Sequence, residues 1–256
     1  MELNKIIQGD CLEVMKGFND NVIDLTVTSP PYDNLRDYKG YDFNFEGIAK
    51  ELFRITKEGG VVVWVVNDAT IKGSETGTSF KQALYFKEIG FNLHDTMIWE
   101  KDTFSFPDTN RYRGVFEYMF ILSKGKPKTS NLIEDKVNKY AGSSVHGTSR
   151  GKDGITFIKS NSGKTNVREL GVRFNVWHQI NEKDNKFNHP AVFPSQLVAD
   201  HIISWSNKGD LVLDPMNGSG TTTKMAKQLG RNFIGIEVSE EYCKIANERL
   251  RQQILL

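Results

Sequence analysis

The chain has 256 residues, with 33 Lys and Arg against 32 Asp and Glu, and 38% of its residues are hydrophobic. These values are ordinary for a globular protein with one large domain, and no apolar run is long enough to span a bilayer. The two cysteines, Cys11 and Cys243, are far apart and lack metal-site spacing, which indicates a reducing compartment and argues against a disulfide framework. Because the N-terminal residues also lack an apolar signal segment, we expect a cytoplasmic protein.

Charge is distributed unevenly along the chain. Residues 111–173 contain thirteen Lys and Arg against five Asp and Glu, whereas the rest of the chain contains twenty against twenty-seven. A net charge of +8 in one segment and −7 elsewhere indicates a surface that binds a polyanion. The alternative is a solvated insertion that is basic without binding anything.

Short β-branched runs alternate with helical patterns along most of the chain. The predicted strands are 23–28, 61–66, 95–99, 118–122, 211–213 and 233–237. The spacing of apolar residues predicts helices within 47–58, 194–205 and 239–250, and Gly59-Gly60 predicts the end of the first one. Continuous apolar strands that alternate with helices indicate an α/β fold, with a mostly parallel twisted sheet and helices on both faces.

The first motif, Ser29-Pro30-Pro31-Tyr32, follows the apolar strand 23–28. Two consecutive prolines remove two backbone donors and fix two φ angles, so the strand ends here and its last residues are held rigidly. A polar side chain before the prolines and an aromatic ring after them indicate a binding or catalytic position at the end of the strand. The alternative for Tyr32 is an ordinary core aromatic residue.

Between residues 125 and 174 the periodicity weakens, and Gly, Ser, Asn and Lys dominate. A segment of this length without strong periodicity is usually functional or mobile. We therefore predict one domain formed by residues 1–124 and 175–256, interrupted by an irregular basic insertion at 125–174.

The second motif is a Gly-rich turn after the strand 211–213. Gly218-Ser219-Gly220 stands at the start of a helix, where backbone N–H groups can approach a ligand closely. The next strand ends in Glu237, nineteen residues after Gly218, where a carboxylate can accept hydrogen bonds from ribose hydroxyls. The pattern favours a nucleoside-containing cofactor over a P-loop, because Lys224 lacks a preceding glycine, and over a dinucleotide, because Thr223 replaces the third glycine. A plain tight turn is the alternative for this stretch alone.

The two motifs together, "TSPPY" and "DPMNGSGTT", resemble the amino-methyltransferases of DNA, which use S-adenosylmethionine to methylate adenine N6 or cytosine N4. The resemblance covers nearly the whole chain except the basic middle. Here the Pro-Pro motif precedes the Gly-rich motif, an order that is similar to the β group of these enzymes. Related methyltransferases of ribosomal RNA, small molecules and protein glutamine usually have the opposite order. The resemblance therefore implies a Rossmann-like methyltransferase fold, S-adenosylmethionine as cofactor and double-stranded DNA as partner.

The resemblance assigns catalysis to Ser29, Pro30, Pro31 and Tyr32. An exocyclic amino group is a poor nucleophile because its lone pair is delocalised into the ring of the base. Acceptors aimed at its N–H bonds favour attack and stabilise the positive charge that develops. We expect Ser29 Oγ and the Pro30 carbonyl to be these acceptors, and Tyr32 to stack on a base that has left the duplex.

The resemblance also implies a set of cofactor-binding residues. These are Asp10, Asp214, Pro215, Gly218, Ser219, Gly220, Thr221, Thr222, Glu237, His189 and Pro190. Asp10 matches the acid expected near the adenine amino group, although an aspartate at this position can equally be a helix N-cap. Phe193 stands where relatives often carry Lys, so this chain lacks that charged contact to the methionine carboxylate.

The basic middle then corresponds to the target-recognition region, whose cations contact phosphates and whose polar side chains read base edges. The residues expected to bind DNA are Lys126, Lys128, Arg150, Lys152, Lys159, Lys164 and Arg168. The five histidines have no ligand spacing, so we expect no metal site.

The sequence thus predicts a site-specific DNA methyltransferase. Relatives with Ser before Pro-Pro are more often cytosine-N4 enzymes, which favours cytosine N4 over the alternative, adenine N6. A catalytically silent DNA-binding protein on the same fold is a further alternative, against which the two intact motifs argue. A restriction endonuclease partner, and a monomer or a homodimer, are each compatible with the sequence.

Overall fold

The computed structural model describes residues 2–31, 43–102, 110–160, 162–178 and 193–251. The predicted site residues Tyr32, His189 and Pro190 lie outside the described residues. The chain divides into two compact units, a large one formed by residues 1–131 and 175–256 and a small one formed by residues 132–174. The small unit begins at Leu132 rather than at 125, because residues 124–131 run along the large unit, where Asn131 N–H donates to the Ser204 carbonyl.

The secondary structure follows in chain order. The strands are β1 (Lys5–Gln8), β2 (Ile23–Thr28), β3 (Thr56–Val66), β4 (Thr70–Ile71), β5 (Ser74–Glu75), β6 (Asn92–Glu100), β7 (Phe116–Ser123), β8 (Lys136–Val137), β9 (Thr148–Arg150), β10 (Thr156–Ile158), β11 (Leu170–Gly171), β12 (Val176–His178), β13 (Leu211–Asp214) and β14 (Asn232–Glu237). The helices are α1 (Cys11–Lys16), α2 (Phe45–Ile55), α3 (Thr78–Glu88), α4 (Ser195–Trp205), α5 (Thr221–Gln228) and α6 (Glu240–Arg251).

The large unit is built on an eight-stranded sheet with the order β1-β14-β13-β2-β3-β7-β6-β12. Seven of these strands run in one direction, and β7 is antiparallel to both of its neighbours. On one face α1, α2 and α3 pack against the sheet, with Leu52 and Phe86 in the core. On the other face α4, α5 and α6 bury Ile202, Ala226 and Leu250. The predicted fold class is confirmed, since the sheet is mostly parallel and is covered on both faces.

One predicted boundary is wrong. The first predicted helix, α2, ends at Ile55, and Gly59 and Gly60 lie inside β3 rather than at a helix end. Gly59 has a φ of +78°, and a Cβ there would lie 2.8 Å from Lys128 Cβ. These glycines therefore permit a strand irregularity and a close backbone approach, which is the other common use of glycine in a strand.

Among its described residues the small unit has two short two-stranded ladders, β8 with β11 and β9 with β10, and an isolated bridge between Ser144 and Asn166. Ion pairs join Glu134 to Arg168 and Asp135 to Arg173, and these acids are two of the four in the unit. The strands described in this unit are two or three residues long. None of the helices in the described ranges is long and apolar enough to cross a membrane.

Candidate active site

The polar ends of four parallel strands meet at one edge of the sheet, the carboxyl edge. β2 leads to Ser29, β13 ends in Asp214, β14 ends in Glu237, and β1 leads to Asp10. These four strands are consecutive in the sheet order. In open α/β sheets ligands bind outside the carboxyl ends of the strands, so this edge is the candidate site.

The Pro-Pro motif begins directly after β2, between β13 and β3 in the sheet. Ser29 is half-buried and Pro30 is buried. The strand is central and parallel to both neighbours, so the position of Ser29 is set by two hydrogen-bonded ladders and not by a loose loop.

The Gly-rich turn lies beside it, between β13 and α5. Gly218 and Gly220 adopt φ angles of +49° and +85°, which other residues rarely adopt. A Cβ on Gly220 would lie 2.8 Å from Ala246 Cβ on α6, closer than real carbon atoms approach. The turn thus requires glycine both for its conformation and for its contact with α6.

Glu237 faces this turn from the end of β14. Its two carboxylate oxygens accept the backbone N–H groups of Gly218 and Ser239, each at 2.8 Å. Burial raises the pKa of Glu237, and these backbone hydrogen bonds oppose the shift. Because each carboxylate oxygen has a second lone pair, Glu237 can hold the turn and still accept ribose hydroxyls.

Asp214 is the last residue of β13, just before the turn, and it is buried. Its carboxylate accepts the Thr28 hydroxyl at 2.8 Å and the Met216 N–H at 3.1 Å. Burial raises the pKa of Asp214 to about 6, and the hydrogen bonds from Thr28, Thr222 and Met216 oppose this increase. Asp214 therefore joins the Gly-rich turn to the end of β2, the strand that carries Ser29.

A second contact joins the same two segments. The Thr222 hydroxyl, on the first turn of α5, donates to the Val27 carbonyl of β2 at 3.3 Å. Ser219 and Thr221, like Thr222, are buried, and their hydroxyls also bond within the protein. These predicted cofactor residues thus shape the turn through their side chains, while Gly218 and Met216 are its partly exposed members.

Asp10 is the N-cap of α1. Its Oδ1 accepts the Glu13 N–H at 2.8 Å, which is the alternative role that the sequence left open. The Gly9 N–H donates to the Glu237 carbonyl at 3.0 Å, so Asp10 lies next to the end of β14. Contact with the cofactor remains a prediction for this residue.

Sequence reasoning missed two residues that shape the Gly-rich turn. Arg249 of α6 is buried and donates to Ser219 and Thr221 from below the turn. Asn217 accepts the Thr223 hydroxyl at 3.0 Å and occupies the space where a side chain on Gly235 would lie. Arg249 stands among the apolar residues on the buried face of α6, and a charge at such a position could have indicated a buried contact. No feature of the sequence indicates the role of Asn217.

The predicted DNA-binding residues fall into two groups. Lys126 and Lys128 follow the C-terminal end of β7, and because β7 is antiparallel they lie at the sheet edge opposite to Ser29, where Lys128 N–H donates to the Gly59 carbonyl. The structure does not bring these two to the candidate site. The others belong to the small unit: Arg150, Lys152, Lys159, Lys164 and Arg168.

Within the small unit the cations differ in their partners. Arg168 pairs with Glu134 at 2.7 Å, and Arg150 donates to the Gly154 carbonyl at 2.9 Å. Lys152, Lys159 and Lys164 are exposed and have no ion pair among the residues that the structure describes. No cluster of three or more His, Cys, Asp and Glu suited to a metal ion occurs in the described part of the chain.

The family model for N6/N4 DNA methylases matches residues 23–248. The chain belongs to this family and is a DNA methyltransferase. It is 60% identical to the orphan methyltransferase M.BamHII of Bacillus amyloliquefaciens, over 94% of this chain and 93% of that protein. It is 29% identical to the type II methyltransferase M.SmaI of Serratia marcescens, over 96% of this chain and 90% of that protein.

Solved structures share the fold. The cytosine-N4-specific PvuII DNA methyltransferase matches with a TM-score of 0.70 and 21% identity, over 98% of this chain and 87% of that one. The M1.HpyAVI–SAM complex matches with a TM-score of 0.65 and 23% identity, over 96% of this chain and 99% of that one. The predicted Rossmann-like methyltransferase fold is therefore confirmed.

Proposed function

We propose that this DNA methyltransferase methylates the N4 amino group of a cytosine that has left the duplex. The observation that carries the proposal is the joining of the two motifs: β2, the strand that leads to Ser29, is hydrogen-bonded through Thr28 to Asp214 at the start of the Gly-rich turn. Ser29, which suits the amino group of a base, and the Gly-rich turn, which suits a nucleoside, thus belong to segments that are hydrogen-bonded to each other.

The residues at the carboxyl edge fit S-adenosylmethionine. Gly218, whose φ of +49° favours glycine, is a partly exposed member of the turn, and the Glu237 carboxylate beside it suits two ribose hydroxyls. Gly218 and Glu237 hold the nucleoside part, with Asp10 near the adenine. When bound, S-adenosylmethionine supplies the methyl group.

Ser29 and Pro30 act on the amino group of the base. Ser29 Oγ and the Pro30 carbonyl accept its N–H bonds, which favours a tetrahedral nitrogen and stabilises the positive charge that develops during attack. The proline pair and the central strand hold both acceptors in place beforehand, so little reorganisation is needed. Pro31 completes this rigid turn, and Tyr32 stacks on the base.

Ser29 is also the basis for choosing cytosine. Among similar enzymes Ser before Pro-Pro is more often found with cytosine N4, and Asp or Asn with adenine N6. Both bases present a ring nitrogen acceptor beside the amino group, so a hydroxyl that accepts and donates suits either one. Adenine N6 is therefore the alternative product.

The small unit, residues 132–174, supplies DNA recognition. Its exposed lysines, Lys152, Lys159 and Lys164, suit phosphate contacts, because two of the four acids in the unit are already paired with Arg168 and Arg173. The relative M.BamHII is named an orphan methyltransferase, which favours action without a dedicated restriction endonuclease.

Product analysis and one variant test the proposal. We expect nucleoside mass spectrometry of methylated duplex DNA to show N4-methylcytosine, and Ser29→Ala to lower turnover by about two orders of magnitude. Ser204→Ala, which removes another buried hydroxyl far from this edge, is the control and should keep full turnover.

The outcomes separate the alternatives. N6-methyladenine alone would overturn the cytosine assignment and leave the role of Ser29 standing. DNA binding without any methylation would favour the catalytically silent protein. Full single-turnover activity of Ser29→Ala would exclude this side chain from catalysis.

A further inference from the structure

Arg249 lies beneath the Gly-rich turn, on the last part of α6. Only 5% of this residue is exposed, and Nη1 lies 2.8 Å from the Ser219 carbonyl oxygen and 2.9 Å from Ser219 Oγ. The same nitrogen lies 3.3 Å from Thr221 Oγ1. One buried cation thus contacts residues on both sides of Gly220.

A second observation places α6 against the turn independently of this arginine. Ala246, three residues before Arg249 on the same helix, is fully buried, and its Cβ would lie 2.8 Å from a Cβ on Gly220. Residues three apart lie on one face of a helix. One face of α6 therefore contacts Gly220 by packing and its two neighbours by hydrogen bonds.

A buried guanidinium has a strict requirement for partners. Removing an arginine from water is costly unless its N–H groups find acceptors, so the acceptors are fixed as firmly as the arginine. Here the acceptors of Nη1 are a backbone carbonyl and two hydroxyls of the turn itself. The Gly218 N–H is held by Glu237, so contacts from α6 and from β14 both fix the turn.

We propose that Arg249 is the positioning residue of the cofactor turn, and that it holds residues 218–221 in their binding conformation before S-adenosylmethionine arrives. The inference rests on the proposed assignment of this turn to the cofactor. Arg249 is buried and acts through the turn that it contacts, so its effect is on cofactor affinity and not on the methyl-transfer step. If the turn were not already ordered, part of the binding free energy would be used to order it, and the affinity for the cofactor would be lower.

The test is a set of binding and kinetic measurements on Arg249→Met and Arg249→Lys. We expect Arg249→Met to raise the Kd for S-adenosylmethionine about tenfold in titration calorimetry, and Arg249→Lys to raise it less. KM for the cofactor should rise in parallel, while kcat at saturating cofactor changes less than about twofold and DNA affinity is unaltered. A residue that only supports folding would not produce this separation of KM from kcat.

Arg231→Met is the matched control. Arg231 is partly buried and, like Arg249, donates to the main chain. Its acceptors are the Ser206 and Leu229 carbonyls, at the opposite edge of the sheet. This variant should lose thermal stability and keep wild-type cofactor affinity. If Arg249→Met fails to fold, Arg249→Lys carries the test.

Glu237→Ala separates failure of this inference from failure of the assignment on which it rests. Weakened binding in Glu237→Ala with wild-type Kd and KM in both Arg249 variants would overturn the role of Arg249 alone. Wild-type affinity in Glu237→Ala as well would remove the whole turn from the cofactor site.

Discussion

Glu237 has a structural task beside the cofactor contact that we propose for it. The sequence indicated an acceptor for ribose hydroxyls, and the structure adds that both oxygens already hold backbone N–H groups, one of them in the Gly-rich turn. Loss of this side chain would therefore remove ligand contacts and also release Gly218.

Glu237→Ala is expected to weaken S-adenosylmethionine binding by about tenfold or more. Hydrogen bonds to a charged group contribute roughly 1.5–3 kcal/mol each, and a factor of ten corresponds to about 1.4 kcal/mol. Titration calorimetry measures the effect. The control is Glu240→Ala, which removes a fully exposed carboxylate paired with Lys244 on α6 and should leave the affinity unchanged. Equal affinities of the two variants would remove Glu237 from the site.

Asp214 makes stability depend on pH. Its pKa is about 6 in the folded protein and about 4 in an unfolded chain, so the folded state binds the proton more tightly. The cost of ionising the buried carboxyl is therefore fully present above pH 6 and disappears as the pH falls towards 4. A pKa that is higher by about two in the folded protein corresponds to a loss of roughly 2–3 kcal/mol of folding stability above pH 6.

Asp214→Asn keeps an acceptor for Thr28, but the amide does not ionise between pH 4 and pH 8. Relative to the wild type, this variant should gain stability above pH 6 and lose the advantage near pH 4, as measured by urea unfolding across that range. Asp135→Asn should show the opposite sign, because Arg173 lowers the pKa of Asp135. Parallel stability curves for wild type and Asp214→Asn would contradict the pKa assigned to this carboxyl.

For single residues, the sequence predicts best those side chains that belong to a short contiguous motif. Ser29 follows β2 directly, Glu237 ends β14 and Gly218 lies in the turn after β13, so their positions follow from the short motifs alone. The partner of Asp214 could not be identified in this way, because Thr28 lies 186 residues away and a threonine in a strand carries no signal. Arg249 is similar, since its acceptors depend on how α6 packs.

The direction of one strand changes the interpretation of a whole segment. The pattern of 118–122 predicted a strand but could not say that β7 runs against its neighbours. Because it does, the residues that follow it reach the opposite edge from Ser29, and Lys126 and Lys128 are separated from the site. The basic segment thus divides into two parts with different locations.

The basic side chains of the small unit should govern the salt dependence of DNA binding. Replacing Lys152, Lys159 and Lys164 with Ala is expected to reduce the slope of log affinity against log salt by roughly 0.9 for each phosphate that is no longer neutralised. Fluorescence anisotropy over a range of salt concentrations measures the slope. Cofactor affinity should stay the same.

A second triple variant controls for net charge. Lys50, Lys81 and Lys87 are exposed on α2 and α3 of the large unit, and their replacement with Ala removes the same charge. This variant should keep the wild-type slope. If both triples lower the slope equally, the effect is one of total charge and the small unit has no special role.

Across the whole molecule, chain order and spatial order differ. The Pro-Pro motif and the Gly-rich motif are separated by most of the chain, yet β2 and β13 are adjacent and parallel. Periodicity predicted the covered faces of the sheet and six of its eight strands, all but β1 and β12, but pairing is a long-range property that local patterns do not encode. The resemblance to amino-methyltransferases was needed to expect the two motifs at one site.

The two hydrogen bonds between β2 and the segment that carries the Gly-rich turn, Thr28 to Asp214 and Thr222 to Val27, have a consequence for local opening of the protein. Segments joined by buried hydrogen bonds tend to open as one cooperative unit. A ligand that binds only the turn therefore also suppresses opening of the strand end. In native-state hydrogen exchange, S-adenosylmethionine should slow exchange of the Val27 and Thr28 amides along with that of Leu213, before any DNA is present. Protection confined to the turn would mean that the two halves of the site open separately.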